Sequence, residues 1–214
     1  DREFLPMNSL AMDILENSEG TYEEDAVVRS LMVELLSQSV TPDMRKEELF
    51  KISELFANTV QRMTWGRNGD TEVGPLVANS FIHIVKNTPP YFMLEMTSLI
   101  LEMFVKAPGL GPHPDESFRN SIKAALTEAI HRMPESEYSA MQDILFKAMG
   151  RIQNYFPKLR TVGELLLESI TYELRLDKGL AQDPEIKTAT KTLFHLFPDK
   201  MSKPALFTQY GSPN

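Results

Sequence analysis

The stretch TPPYFMLEMTSLILEMFVKA, from Thr88 to Ala107, decides the fold. Eleven of its side chains are large and apolar, and its only acids are Glu95 and Glu102. A helix that is apolar on nearly every side is normally buried on most of its faces. Pro108 and Gly109 stop it after about 17 residues, which together with the two carboxylates is too short and too polar for a membrane span. The stretch therefore predicts a central core helix with neighbours on both sides.

The composition indicates an ordinary globular protein. With 214 residues, 42% hydrophobic and 24% charged, the chain is long enough to bury a core as one domain or one stack of repeats. It has neither a signal-peptide pattern nor a membrane-spanning apolar run, and it has no cysteine, which fits a reducing compartment. We therefore expect an intracellular protein, cytoplasmic or nuclear, without membrane contact. Since the chain begins with Asp1, we expect it to be a piece of a larger protein.

The charge is unevenly placed along the chain. Residues 1–60 hold 13 acids and 5 bases, a net charge of −8, whereas residues 61–214 hold 17 of each. Phosphate affinity comes mostly from clustered Lys and Arg, so this balance disfavours a general nucleic-acid-binding surface. An acidic end is typical of a solvated helix face, and it also steers basic partners.

Apolar residues recur at helical spacing along most of the chain, and no segment alternates with period two, so we predict an all-α fold without a sheet. Two helix starts have the capping-box spacing, Thr21 with Glu24 and Thr161 with Glu164. Glycine and proline predict loops at 64–74 and 107–114, and the tail 198–214 is predicted to be extended or disordered. About nine helices are predicted, at 4–17, 21–38, 41–63, 75–87, 88–107, 115–133, 136–156, 161–176 and 183–197.

Prolines mark helix starts at a nearly regular interval. Pro42, Pro89, Pro134 and Pro184 are separated by 47, 45 and 50 residues, with one further helix inside each interval. In this spacing the chain resembles HEAT and armadillo-type repeats. The resemblance covers about residues 4 to 197 and implies antiparallel helix pairs in a right-handed superhelical stack, with residues 1–197 as a single repeat-like domain. An all-helical protein with short loops is the alternative interpretation of the same intervals.

No motif of catalysis or cofactor binding is present in the sequence. Gly109-Leu-Gly111 lacks the third glycine and the preceding strand of a dinucleotide site, and neither a phosphate-binding P-loop nor a G-x-S-x-G elbow occurs. The histidines show no H-E-x-x-H pattern for a metal ion. They are His83, His113, His131 and His195. We therefore expect no enzyme activity, no cofactor, no metal site and no small-molecule substrate.

A glycine-rich loop contains the only tryptophan, Trp65, beside Arg67, Asn68 and Asp70. Trp and Arg are the residue types that most often anchor interfaces, and loops often carry function. This cluster is a candidate partner-binding site. The alternative is that Trp65 packs between helices as a plug.

Four basic residues form a second candidate site for a partner: Lys147, Arg151, Lys158 and Arg160. Lys147 and Arg151 are one helical turn apart, and the other two follow in the next connection. The prediction is a small basic patch at one rim that meets an acidic peptide or a phosphate. An ordinary solvated rim explains the same residues.

Three hypotheses of function follow from the sequence. The first is a non-enzymatic scaffold domain of a larger intracellular complex, binding a partner peptide or helix, which is what the resemblance to helical repeats implies. The second is an RNA-binding or nucleoprotein-type helical domain that uses the basic rim. The third is a GTPase-regulating helical domain in which Arg67 acts as a catalytic finger.

Overall fold

The computed structural model describes residues 6–17, 23–62, 70–107, 114–152 and 155–176, together with Pro184. Within these ranges the chain is all-helical and contains no strand, as predicted. Short 3₁₀ turns, Pro90–Phe92 and Glu135–Glu137, precede the fifth and seventh helices. The eight α-helices are α1 (Pro6–Asn17), α2 (Glu23–Ser39), α3 (Lys46–Arg62), α4 (Asp70–Asn87), α5 (Met93–Lys106), α6 (Pro114–Arg132), α7 (Tyr138–Arg151) and α8 (Phe156–Leu176).

Helix α5 is the central core helix that the sequence predicts. It contacts α3, α4, α6 and α7. Its exposed side chains include Glu95, Glu102 and Lys106. The helix begins at Met93 and not at Thr88. Its buried residues are Met93, Met96, Thr97, Ile100, Leu101, Met103 and Phe104.

The helices form two rows, which we call the odd row (α1, α3, α5, α7) and the even row (α2, α4, α6, α8). Within each row, every helix contacts the next helix of that row. The rows are joined by contacts of α1 with α2, α3 with α4, α5 with α6, and α7 with α8. The hydrophobic core therefore lies between the rows.

Hydrogen bonds between neighbours in a row join residues 41 to 47 positions apart in the chain. In the even row Lys123 pairs with Glu164, and one turn later Thr127 donates to Glu168 at 3.3 Å. Both contacts have a separation of 41 residues, so α6 and α8 advance in the same direction and in register.

Arginine side chains bond carbonyls near the ends of two helices, in each case from the next helix of the same row, and a histidine contacts the carbonyl that follows a third helix. Arg62 at the end of α3 donates to the Leu15 carbonyl of α1 at 3.0 Å, and Arg132 at the end of α6 donates to the Val85 carbonyl of α4. His83 of α4 contacts the Val40 carbonyl after α2 at 3.3 Å. The last carbonyls of a helix have no partner within it and carry its negative dipole end, so cations stabilise them.

The connections before α5 and α7 share one geometry. Pro89 and Pro134 have nearly the same backbone angles, φ −58° and ψ 143° against φ −60° and ψ 140°. Each proline carbonyl accepts a bond from the amide three residues later, at 3.0 Å in both cases. Two of the helix starts that prolines predict in the sequence, at Pro89 and Pro134, therefore share one local structure. At Pro42 the start differs, because α3 begins at Lys46.

The predicted loop 64–74 is wrong for residues 70–74, which form the start of α4. Pro75 lies inside this helix. Val73 is completely buried and lies one turn before the buried Val77, so packing holds the first turns despite Gly74 and Pro75. Residues 64–69 lie outside the described part of the chain.

The capping box predicted at Thr161 and Glu164 is also wrong, because α8 begins at Phe156. Thr161 is inside the helix, where its hydroxyl donates to the Pro157 carbonyl at 3.0 Å. Pro157 fits the first turn of a helix, since it lacks an amide that would have no partner there. The helix predicted over 136–156 accordingly ends at Arg151.

Eight helices lie in the described residues, where the sequence predicts about nine. The ninth, at 183–197, lies outside those residues except for Pro184, which is helical. The tail 198–214, most of the loop 107–114 and Thr21 of the first capping box also lie outside them.

Candidate functional site

The predicted loop site lies almost entirely outside the described residues. Trp65, Arg67 and Asn68 fall in the gap between α3 and α4, and Asp70 is the first residue of α4. Partner binding by this cluster stays a prediction, as does its alternative.

The predicted basic patch divides into exposed and buried members. Lys147 and Arg151 are exposed on α7. Arg160 is half-buried on α8 and bonds Glu164 at 3.2 Å. Lys158 is only 4% exposed, so the prediction of four cations on one open rim is wrong for this residue.

Lys158 instead donates hydrogen bonds to carbonyls at the end of α5. Its amine donates to the carbonyl of Val105 at 3.3 Å and to that of Ala107. It also lies 5.6 Å from the ring centres of Phe104 and Tyr155, where the aromatic faces attract a cation. The buried charge is therefore compensated by helix-end carbonyls and rings, a role that sequence reasoning missed because the two carbonyls lie about 50 residues away in the chain.

A groove between α3 and α5 is a candidate binding site, and we call it the α3/α5 groove. Its volume is about 460 Å³. Apolar side chains line it together with amides and carboxylates. The lining residues are Phe50, Glu54, Ala57, Asn58, Gln61, Glu95, Ser98, Leu99, Glu102, Met103 and Lys106.

An aromatic cluster stands at one end of this groove, and we call it the Tyr91 cluster: Lys46, Phe50, Tyr91 and Phe92. Tyr91 is 65% exposed, with its ring centre 4.3 Å from that of Phe92. The Lys46 amine lies 4.6 Å from the Phe92 ring centre and pairs with Glu95 at 2.7 Å. Exposed tyrosine on a pre-packed base is typical of interface anchors, because it brings much contact area at little entropic cost.

Sequence reasoning missed Tyr91 because it assigned the residue to the core helix. The signal was present in Pro89 and Pro90. Two prolines place Tyr91 in the 3₁₀ turn before α5, outside the apolar stripe of the helix.

The charge on the groove is mainly negative, with Glu54, Glu95 and Glu102 against Lys106. Lys106 bonds Glu102 at 2.8 Å, and this bond and its charge lower the pKa of the Glu102 carboxyl below its ordinary value. The charge of Arg151 on α7 also lowers the pKa of Glu102, so this member of the predicted patch acts at the edge of the groove.

A second groove runs along the other side of α3, between α1 and α3, with a volume of about 420 Å³. It shares Glu54, Asn58 and Gln61 with the α3/α5 groove. The surface of the odd row therefore has two adjoining grooves with α3 as the ridge between them.

The described residues do not contain a group of three or more His, Asp or Glu side chains placed to hold a metal ion. None of the described helices is both long and apolar enough to cross a membrane.

Comparison with known proteins finds no similar protein: no family model, no curated protein and no solved structure matches the chain.

Proposed function

We propose that this chain is a helical-repeat module, a scaffold within a larger complex, that binds a segment of a partner protein in the α3/α5 groove. The observation that carries the proposal is the combination of a groove with apolar and amide lining and the exposed Tyr91 at its end. Grooves between helices that end in an aromatic anchor suit peptide and helix recognition.

The repeat architecture is part of the same proposal. We infer a HEAT or armadillo-like superhelical stack of antiparallel pairs from three supports. These are the two rows of helices, the separation of 41 to 47 residues between bonded row neighbours, and the matching turns at Pro89 and Pro134. Repeat stacks expose long ridged surfaces on which partners bind.

The dimensions of the groove suit a short segment of protein. The lining residues extend over 50–61 on α3 and 95–106 on α5, and each span rises about 17 Å along a helix. This length accommodates about three turns of a helix or about five residues of an extended strand.

Each part of the lining has a role in this proposal. Phe50 and Leu99, which are both half-buried, bury an apolar side chain of the partner. Asn58 and Gln61 offer amide donors and acceptors for a peptide backbone. Tyr91 packs against the partner at the end of the groove, where the ring of Phe92 supports it.

The two alternative functions receive less support. A nucleic-acid interface on the basic rim is weakened by the burial of Lys158 and the pairing of Arg160 with Glu164. A GTPase-regulating role for Arg67 has no observation for or against it, because Arg67 lies outside the described residues. Both stay predictions.

The test is an affinity capture from cell lysate with three proteins in parallel: the unchanged chain, the double variant Tyr91→Ala/Ser98→Arg, and the control Lys86→Ala on the even row. Ser98→Arg fills the groove, whereas Lys86 is exposed on α4. We expect a set of proteins that the unchanged chain and the control capture alike and that the groove variant captures at least about tenfold less.

Two readouts keep the result interpretable. Thermal unfolding must be the same for all three proteins, because Tyr91 and Ser98 contribute little to the core. Capture that is equal for the groove variant, or that disappears on nuclease treatment, contradicts the proposal.

A further inference from the structure

The charged side chains of the α3/α5 groove are not equally compensated. The lining contains three carboxylates, Glu54, Glu95 and Glu102, and one amine, Lys106. Glu95 pairs with Lys46 at 2.7 Å, and Glu102 pairs with Lys106 at 2.8 Å. Glu54 is exposed, and within the described part of the chain its carboxylate has no hydrogen bond and no ion pair. The groove therefore holds one carboxylate whose charge is not paired.

The basic residue closest to Glu54 along α3 does not compensate it. Lys51 lies three positions before Glu54 and does not pair with it; it lines the α1/α3 groove and not the α3/α5 groove. Exposed pairs at this spacing contribute little even where they form. The charge of Glu54 is therefore open to a cation that a partner brings.

Glu54 lies beside the aromatic end of the groove. It follows Phe50 by four positions on α3, so the two side chains share one face of the helix and are about 6 Å apart along its axis. Phe50 belongs to the Tyr91 cluster, and its ring centre is 6.3 Å from that of Phe92. An apolar contact surface and an unpaired carboxylate one helical turn further on thus line the same groove.

This arrangement distinguishes between occupants. An acidic segment or a nucleic-acid phosphate would bring a like charge to Glu54. A wholly apolar segment would cover the carboxylate without giving it a partner, and covering an unpaired charge is unfavourable. A segment with a Lys or Arg close to an apolar side chain complements both the carboxylate and the aromatic end.

We propose that the partner segment in the α3/α5 groove carries a Lys or Arg side chain that pairs with Glu54, close to the apolar side chain that Phe50 and Leu99 bury. The separation of about 6 Å corresponds to four residues of a helix or two residues of an extended segment. This recognition rests on the binding function proposed above, and it adds the charge of the partner segment and the spacing of its two contact residues.

The probes are random peptides of about 12 residues, the length of three helical turns, displayed on phage and selected on the intact chain. Selected peptides that the groove variant Tyr91→Ala/Ser98→Arg fails to bind are kept and synthesised. Titration calorimetry then measures their affinities for the unchanged chain, Glu54→Gln and Glu54→Lys. The matched control is Glu47→Gln, because Glu47 is an exposed carboxylate on α3 outside the groove lining. Sedimentation measures the mass of the unchanged chain alone.

We expect the groove-dependent peptides to carry a Lys or Arg two or four positions from an apolar residue. Their affinity falls at least about fivefold for Glu54→Gln, falls further for Glu54→Lys and stays the same for Glu47→Gln. Replacing the basic residue of a peptide by Glu weakens its binding to the unchanged chain and restores binding to Glu54→Lys, because the two charges are then opposite again. Added salt weakens binding to the unchanged chain more than binding to Glu54→Gln.

The failure of this recognition differs from the failure of the groove. If none of the selected peptides depends on the groove, the proposed function is wrong and the role of Glu54 with it. Groove-dependent peptides that lack a basic residue, or that bind Glu54→Gln as tightly as the unchanged chain, leave the groove as a binding site and overturn the role of Glu54. A dimer of the unchanged chain that Tyr91→Ala/Ser98→Arg dissociates shows that a second copy occupies the groove, which also overturns the proposal.

Discussion

Lys158, near the start of α8, donates a hydrogen bond to the carbonyl of Ala107, the residue that follows α5. Lys147, eleven residues earlier on α7, is exposed. The two lysines belonged to one predicted basic patch, yet one ties two helices together and the other faces solvent.

Lys158→Met is expected to lower the free energy of unfolding by about 1 to 3 kcal/mol, because the helix-end carbonyls lose their donor in a buried position. Lys147→Met, the matched control, is expected to change it by less than about 0.5 kcal/mol. Urea denaturation of both variants measures the difference. Equal losses for the two lysines would show that Lys158 is not a buried donor.

Arg132→Met tests a second bond between a basic side chain and a helix-end carbonyl, this one between α6 and α4 of the even row. Arg132 donates to the Val85 carbonyl near the end of α4, and losing this charge-assisted bond is expected to cost about 1 to 3 kcal/mol. Lys86→Met, on the exposed side of the same helix end, is the control and is expected to change the free energy of unfolding by less than about 0.5 kcal/mol. A stability of Arg132→Met equal to that of the control contradicts the cross-helix role.

Gly150→Ala is expected to stabilise the protein by about 0.5 to 1 kcal/mol, because alanine has the higher helix propensity and restricts the unfolded chain. Gly150 lies in the last turn of α7, and an added Cβ there meets nothing within 4 Å. Thermal unfolding with circular dichroism measures the gain. A lower midpoint than that of the unchanged chain would mean that the last turn of α7 is not helical in solution.

Glu102→Gln tests the electrostatics of the groove edge. Lys106 lowers the pKa of Glu102 in the folded protein, so the ion pair contributes stability at neutral pH that is lost as pH falls through this lowered pKa, below the ordinary value of 4.5. Because the pair is exposed, the variant is expected to lose less than about 1 kcal/mol at pH 7. Denaturation at a series of pH values should show the loss shrinking towards zero in acid; a loss that grows with acidity has the wrong sign for this pair.

The apolar periodicity of the sequence predicts the helices well because burial is decided by side chains three and four positions apart on the same helix. α5 is the clearest case, because all of its buried residues lie in the apolar stretch 88–107, from Met93 onward. Local signals failed where distant packing outweighed them. Thr161 and Glu164 match a capping box in sequence, but Glu164 contacts Lys123 of α6 from within α8.

The candidate sites were harder to predict. The burial of Lys158 depends on carbonyls about 50 residues away, and the exposure of Tyr91 depends on the turn that Pro89 and Pro90 impose. Val27 and Leu31 follow the apolar spacing of a core helix in sequence, and only their exposure of 63% and 55% shows that no described helix covers them.

The hydrogen bonds between neighbouring helices of a row have a further consequence for unfolding under force. Each of them bridges 41 to 47 residues, so the loop that it closes has a similar length at every point along the rows. When the chain is pulled by its two termini, we expect it to lengthen in steps of similar size. The helices are expected to unfold two at a time from either end, because unfolding α1 and α2 leaves the bond between Arg132 and Val85 in place.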